Sequence, residues 1–168
     1  MNDKKIVIDV PKTENETVNK LINSYLELKK HEFTSIINKL SYNEYSFKNI
    51  YEEHNYLNYK DLHIILYYNY GYRLIREDKF FHTLDDKLID INHFTNDITS
   101  LKTSLKESLN MSLKEYKINE SMIDYSINFS LDNFLVFDDG LEFIFSLNQF
   151  GIDSNEEIRI KVKEFYYE

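Results

Sequence analysis

From Asp61 to Tyr72 the chain places apolar side chains on both faces of an extended segment. Leu62, Ile64, Leu66, Tyr68 and Tyr70 lie on one side, and His63, Ile65 and Tyr67 on the other. A strand that is apolar on both faces needs cover from two directions, so it belongs in the middle of a packed sheet. The rest of the chain therefore has to supply neighbouring strands and at least one helical layer.

The flanking patterns supply both. Ile6-Val7-Ile8-Asp9-Val10, stopped by Pro11, predicts an opening strand. Thr13 stands three residues before Glu16, the spacing of a capping box. A long helix should follow, with Val18, Leu21, Ile22, Tyr25, Leu28, Phe33, Ile36, Ile37 and Leu40 as its apolar stripe. Tyr45, Phe47 and Tyr51 alternate with polar residues, as on a half-buried strand, and Glu52 to Asn58 reads as a turn. Lys79 to Leu84 predicts another strand, Asp85-Asp86-Lys87 turns the chain, and Leu88 to Ile91 is short.

Thr95, Asn96 and Asp97 offer caps for a second helix, whose stripe is Ile98, Leu101, Leu105, Leu109 and Leu113. Ser121 to Tyr125 adds at most a helical turn. Asn133 to Phe137 and Leu141 to Ser146 flank Asp138-Asp139-Gly140 as a hairpin, its Asp-Gly pair suited to left-handed torsions. Ile158, Ile160 and Val162 alternate on a last strand. The predicted order is β-α-β-β-β-α-β-β-β, an α+β fold in which two amphipathic helices pack on a mainly antiparallel sheet. With 168 residues, 42% of them hydrophobic, the expectation is one domain over 1–168, its halves 1–91 and 92–168 sharing a core.

Charge narrows the choice of partner. Twenty basic residues stand against 29 acidic ones, a net charge of -9, which disfavours phosphate backbones and anionic membranes. From Asn119 to Glu168 there are 11 acidic and three basic residues, so this last third carries -8 of that charge. A solvated sheet face accounts for such a run, and a basic protein partner fits it as well. No apolar run reaches the roughly 20 residues that span a bilayer, so no membrane insertion is expected.

Few residues offer chemistry. Cys is absent, which removes disulfides, zinc-thiolate sites and thiol nucleophiles. His31, His54, His63, His82 and His93 are scattered without metal-binding spacing, and His63 and His82 fit core positions better than ligand positions. No phosphate-binding glycine loop and no nucleophile elbow is present. Asp138-Asp139-Gly140 lacks the further oxygen ligands of a calcium loop and reads as a turn. No catalytic residue, metal or cofactor is expected. A hydrolase built on an acid pair is the weakest of the functional readings. Tyr68, Tyr70, Tyr72 and Arg73, with Tyr67 beside them, are the candidate binding residues, since Tyr and Arg are favoured interface anchors. Alternate tyrosines on a strand serve equally well as core. Phe165-Tyr166-Tyr167 either packs on the sheet or marks a contact surface.

Several segments together resemble one family. They are Ile6 to Pro11 with Val18-Asn19-Lys20-Leu21-Ile22-Asn23, then Tyr67-Tyr68-Asn69-Tyr70-Gly71, Phe81 to Ile89, and Phe137-Asp138-Asp139-Gly140-Leu141-Glu142-Phe143-Ile144-Phe145, closed by Ile158 to Val162. In this order they resemble the extracellular sensor domain of RsiV-type anti-sigma factors, a region similar to the accessory domain of some bacterial peptidoglycan deacetylases. The family's Gly-Gly-Ala-His-Gly-like loop is reduced here to Gly71, followed by Tyr72-Arg73-Leu74-Ile75. Leu147-Asn148 and Glu156 stand where its Pro-Tyr pair and later glycines occur. The resemblance implies a non-enzymatic sensor that recognises lysozyme, a basic protein, or a cell-wall glycan, in an extracellular or cell-surface setting. A cytoplasmic immunity or inhibitor protein that blocks a basic effector is the alternative. The chain shows no signal peptide, so it is either cytoplasmic or an ectodomain of a longer precursor.

Overall fold

A computed structural model describes residues 6–39 and 45–163 of the chain. The fold is α+β. Among the described residues there are three α-helices, α1 (Glu16–Lys39), α2 (Ile98–Ser112) and α3 (Glu120–Phe129). The strands form two antiparallel meanders rather than one sheet. The first has four strands in the order β1 (Tyr45–Tyr56), β2 (Tyr59–Tyr70), β3 (Arg73–Leu84) and β4 (Lys87–Ile89). The second joins β5 (Phe134–Phe137), β6 (Gly140–Ser146) and β7 (Glu157–Val162).

β2 is central, paired along its length with β1 and β3. Its Leu62, Ile64 and Leu66 are buried under Val18, Ile22 and Leu26 of α1, and Phe81 of β3 joins them. Phe33 and Ile37 of α1 meet Tyr45, Phe47 and Tyr68 further along the same face. Leu26 was not part of the predicted stripe, whereas the predicted Leu21 and Leu28 are exposed. Steps of four residues from Val18 to Ile22 to Leu26 keep a helix face on the sheet better than the three-residue steps through Leu21 and Leu28.

The predicted opening strand is absent. Ile6 to Val10 runs without ladder pairing. The Asn49 side chain of β1 holds it instead, accepting from the Asp9 N–H and donating to the Asp9 carbonyl. The expected cap moves as well. Asn15, not Thr13, caps α1 by accepting from the Val18 N–H at 3.1 Å, while Thr13 is tied back to Asn19. The polar stretch read as a turn, Glu52 to Tyr56, continues β1, and the chain reverses at Leu57-Asn58, with Leu57 at φ 51°. β3 begins at Arg73, six residues before the predicted Lys79.

The two short hairpins exchange roles. Asp85 and Asp86 both have positive φ, 49° and 62°, so the left-handed two-residue turn lies there. In the Asp138-Asp139 turn neither aspartate has positive φ, and Gly140 sits at 153° as the first residue of β6. A Cβ on Gly140 would lie 2.1 Å from the Val162 carbonyl oxygen, so glycine lets the end of β7 close on this hairpin. Gly140→Ala is expected to cost roughly 2 kcal/mol in chemical denaturation. An unchanged midpoint would mean that β7 moves aside freely.

α2 and α3 cover the second sheet. Leu101, Leu105, Leu109, Leu113, Ile123 and Ile127 pack on Phe134, Val136, Leu141, Phe143 and Phe145. The predicted second helix thus becomes two, broken after Ser112 and at Lys117, whose φ of 53° is left-handed. The sheets meet through Phe80 of β3 against Leu135 and Ile144. No described helix is long and apolar enough to cross a membrane.

Candidate functional site

The structure separates the four predicted binding residues. Tyr68 turns into the core beside Phe33 and Phe47, with ring centroids 5.1 and 6.3 Å away, and its hydroxyl donates to Glu77 at 2.5 Å. Tyr70 is the last residue of β2. Tyr72 lies in the following turn, fully exposed, and Arg73 opens β3, also exposed. Strand alternation explains the split: only alternate residues share a face, and the reversal at Gly71 places Tyr72 at the tip.

The histidines of β2 and β3 serve the join between the sheets. β5 is an edge strand, and an edge leaves N–H and C=O groups unpaired. Asp61 of β2 accepts from the Val136 N–H at 2.8 Å, and His54 of β1 donates to the Val136 carbonyl at 2.8 Å. His82 joins its Nδ1 to Asp61 at 2.8 Å and donates from Nε2 to the Asp132 carbonyl at 2.7 Å. Its ring stacks on Phe134 at 3.9 Å. Both nitrogens are occupied and the ring is buried, so this Asp-His pair cannot reach an external substrate.

A second buried group lies one step along the same face. Arg76 grips Asp78 through two hydrogen bonds of 2.8 and 2.7 Å, and reaches across to Glu157 of β7 at 2.6 Å. His63 Nε2 donates to Asp78 at 2.7 Å, while its buried Nδ1 has no partner among the described residues. Burial alone would push the Asp78 carboxyl up. The hydrogen bonds from His63 and Arg76 and the guanidinium charge outweigh it and hold the carboxyl below its usual range. These histidines and carboxylates fasten one sheet to the other. No described group of three His, Asp or Glu side chains is arranged to hold a metal ion.

The surface feature that asks for a partner is on α3. Ile123, Ser126 and Ile127 face inward, while Met122, Tyr125 and Phe129 share an outer side. Tyr125 is 64% and Phe129 72% exposed, and their rings stack in parallel 6.3 Å apart. A helix of one domain rarely shows water two neighbouring aromatic rings. Carboxylates flank the stripe. Asp124 pairs with Lys106 of α2 at 3.0 Å, and Glu120 precedes it by a turn. Gln149 bonds Ser130 at 2.5 Å, and its carbonyl accepts from Ser126. The exposed Asp153 and Glu156 follow on that loop, with no ion-pair partner among the described residues.

In sequence the stripe is hidden, because Met122, Tyr125 and Phe129 look as apolar as Ile123 and Ile127. Only the packing shows which set is covered. Compared with models of protein families and with curated proteins, the sequence matches none.

Proposed function

We propose that the chain is a non-enzymatic binding domain of the RsiV-sensor type, a cell-surface or secreted module whose partner is a basic protein of lysozyme-like charge. The observation that carries this reading is the exposed Met122–Tyr125–Phe129 stripe within the acidic last third of the sequence. Aromatic anchors supply the desolvated centre of an interface, and the surrounding carboxylates steer a cationic partner toward it. The family resemblance supports the same reading, since lysozyme is strongly basic.

Lysozyme passed over the immobilised domain is the direct test. Retention is expected at low salt and reduced at high salt, since screening shortens the reach of the acidic field. Changing Tyr125 and Phe129 together to serine is expected to weaken binding by about 30-fold, the effect of losing a hot spot. Both side chains are exposed, so the double variant should keep its thermal midpoint. Failure of retention at low salt would count against a lysozyme-like partner. Equal retention of the variant would count against α3 as the contact.

A further inference from the structure

α1 begins at Glu16, so its cover over the four-stranded sheet stops at Val18, one turn short of the strand ends. Beyond that point the sheet face is left as a cleft of about 500 Å3, walled by residues 12–15 and by Asp86 of the β3–β4 turn. Two cross-strand rows form its floor. Register aligns Glu53, Leu62 and Phe81 in one row, and Asn55, Lys60 and Thr83 in the next. The first row offers an apolar step beside a carboxylate. The second offers an amide, an ammonium and a hydroxyl.

Much of the polar lining is uncommitted. Lys12, Glu14, Glu53 and Asn55 make no side-chain hydrogen bond or ion pair among the described residues, and Lys60 approaches Asp86 only at 3.7 Å. The lining charges nearly cancel, two lysines against Glu14, Glu53 and Asp86. That balance favours neither a phosphate nor a cation. Donor-only ammonium groups, acceptor-only carboxylates and a two-way amide match a ligand whose every group both donates and accepts, which is the property of a hydroxyl. The volume falls within the usual range for small-ligand sites, roughly 300–1,000 Å3.

We infer that this cleft binds a neutral saccharide, with one ring face resting on Leu62 and Phe81 and its hydroxyls shared among Glu53, Asn55, Lys60 and Lys12. The site uses none of the residues of α3 and stands apart from the protein-binding reading.

The test is a titration of the full chain, with backbone amide shifts read by NMR. Chitotetraose and cellotetraose are the probes, with inorganic phosphate and glycine as controls. Saturable shifts are expected with a tetrasaccharide, centred on residues 12–18, 53–62 and 81–86. Asn55→Trp, at an exposed strand position, should fill the cleft and abolish them. Lys60→Met should weaken binding roughly tenfold, the value of one charged hydrogen bond. Both variants are checked first for an unchanged thermal midpoint, and Lys60→Met alone decides if the tryptophan unfolds the chain. The Tyr125/Phe129 double variant should titrate as the parent does, which separates this site from the protein contact. No saturation with either saccharide, a stronger response to phosphate or glycine, or shifts indifferent to Lys60→Met would overturn the inference. Release of reducing ends during the titration would leave the cleft standing and overturn the non-enzymatic reading.

Discussion

Arg76→Leu is expected to destabilise the fold by about 3–5 kcal/mol in urea denaturation, because it leaves buried carboxylate charge without its cation. The guanidinium is almost fully buried, binds Asp78 bidentately, and continues to Glu157 and to the Asn155 carbonyl at 2.9 Å. It therefore ties β3 to β7 across the two sheets. The gap between parent and variant should depend on pH. In the parent, burial pushes both the Asp78 and Glu157 carboxyls up, but the bonds from His63, Arg76 and Arg159 hold both below their usual range. A depressed carboxyl stabilises the fold above its unfolded value of about 4, and that contribution is lost as pH falls through the folded value. Without Arg76, burial is opposed less and the acid-linked loss shrinks. The stability gap should therefore narrow as pH falls from about 6 to about 3. A gap that stays constant over that window would mean that Arg76 acts only by packing.

Arg76 also shows why parts of this fold were illegible in the sequence. Arg73 to Asp78 carries Arg76, Glu77 and Asp78 in a row, and such a row reads as solvent-facing loop. It is a strand because its charged residues satisfy one another inside the seam. Glu52 to Tyr56 was hidden for a different reason. β1 is an edge strand whose backbone pairing with β2 needs no apolar alternation, so its polar end resembles a turn. What could be read was whatever buries apolar groups at regular spacing: Leu101, Leu105 and Leu109 on α2, the two-faced β2, and the β5–β6 hairpin. The tyrosine cluster illustrates the limit, since Tyr68 is core and Tyr72 is a loop tip although four positions separate them. The saccharide cleft was beyond reach, because it joins residues 12–15 to strands that begin some 40 residues later.

Asp61→Leu should cost about 3–5 kcal/mol, the penalty of orphaning two buried groups at about 1–3 kcal/mol each with some relaxation. The two groups are the Val136 N–H and His82 Nδ1, both 2.8 Å from the Asp61 carboxyl. His82→Phe alone should also be costly, because it strips the partner from a carboxylate that is 2% exposed. The ring position itself suits an aromatic, since His82 lies parallel to Phe134 at 3.9 Å and near-parallel to Phe80 at 5.9 Å. The double variant Asp61→Leu/His82→Phe should therefore lose less than the sum of the single losses, by about 1–3 kcal/mol. Amide exchange would locate the damage. In Asp61→Leu the Val136 amide should exchange fast, while Ile144, whose N–H bonds the Asn133 carbonyl at 2.9 Å, stays protected. Strict additivity in the double variant, or continued protection of Val136 in Asp61→Leu, would show that β5 is held by its apolar contacts and that the aspartate capping its edge is dispensable.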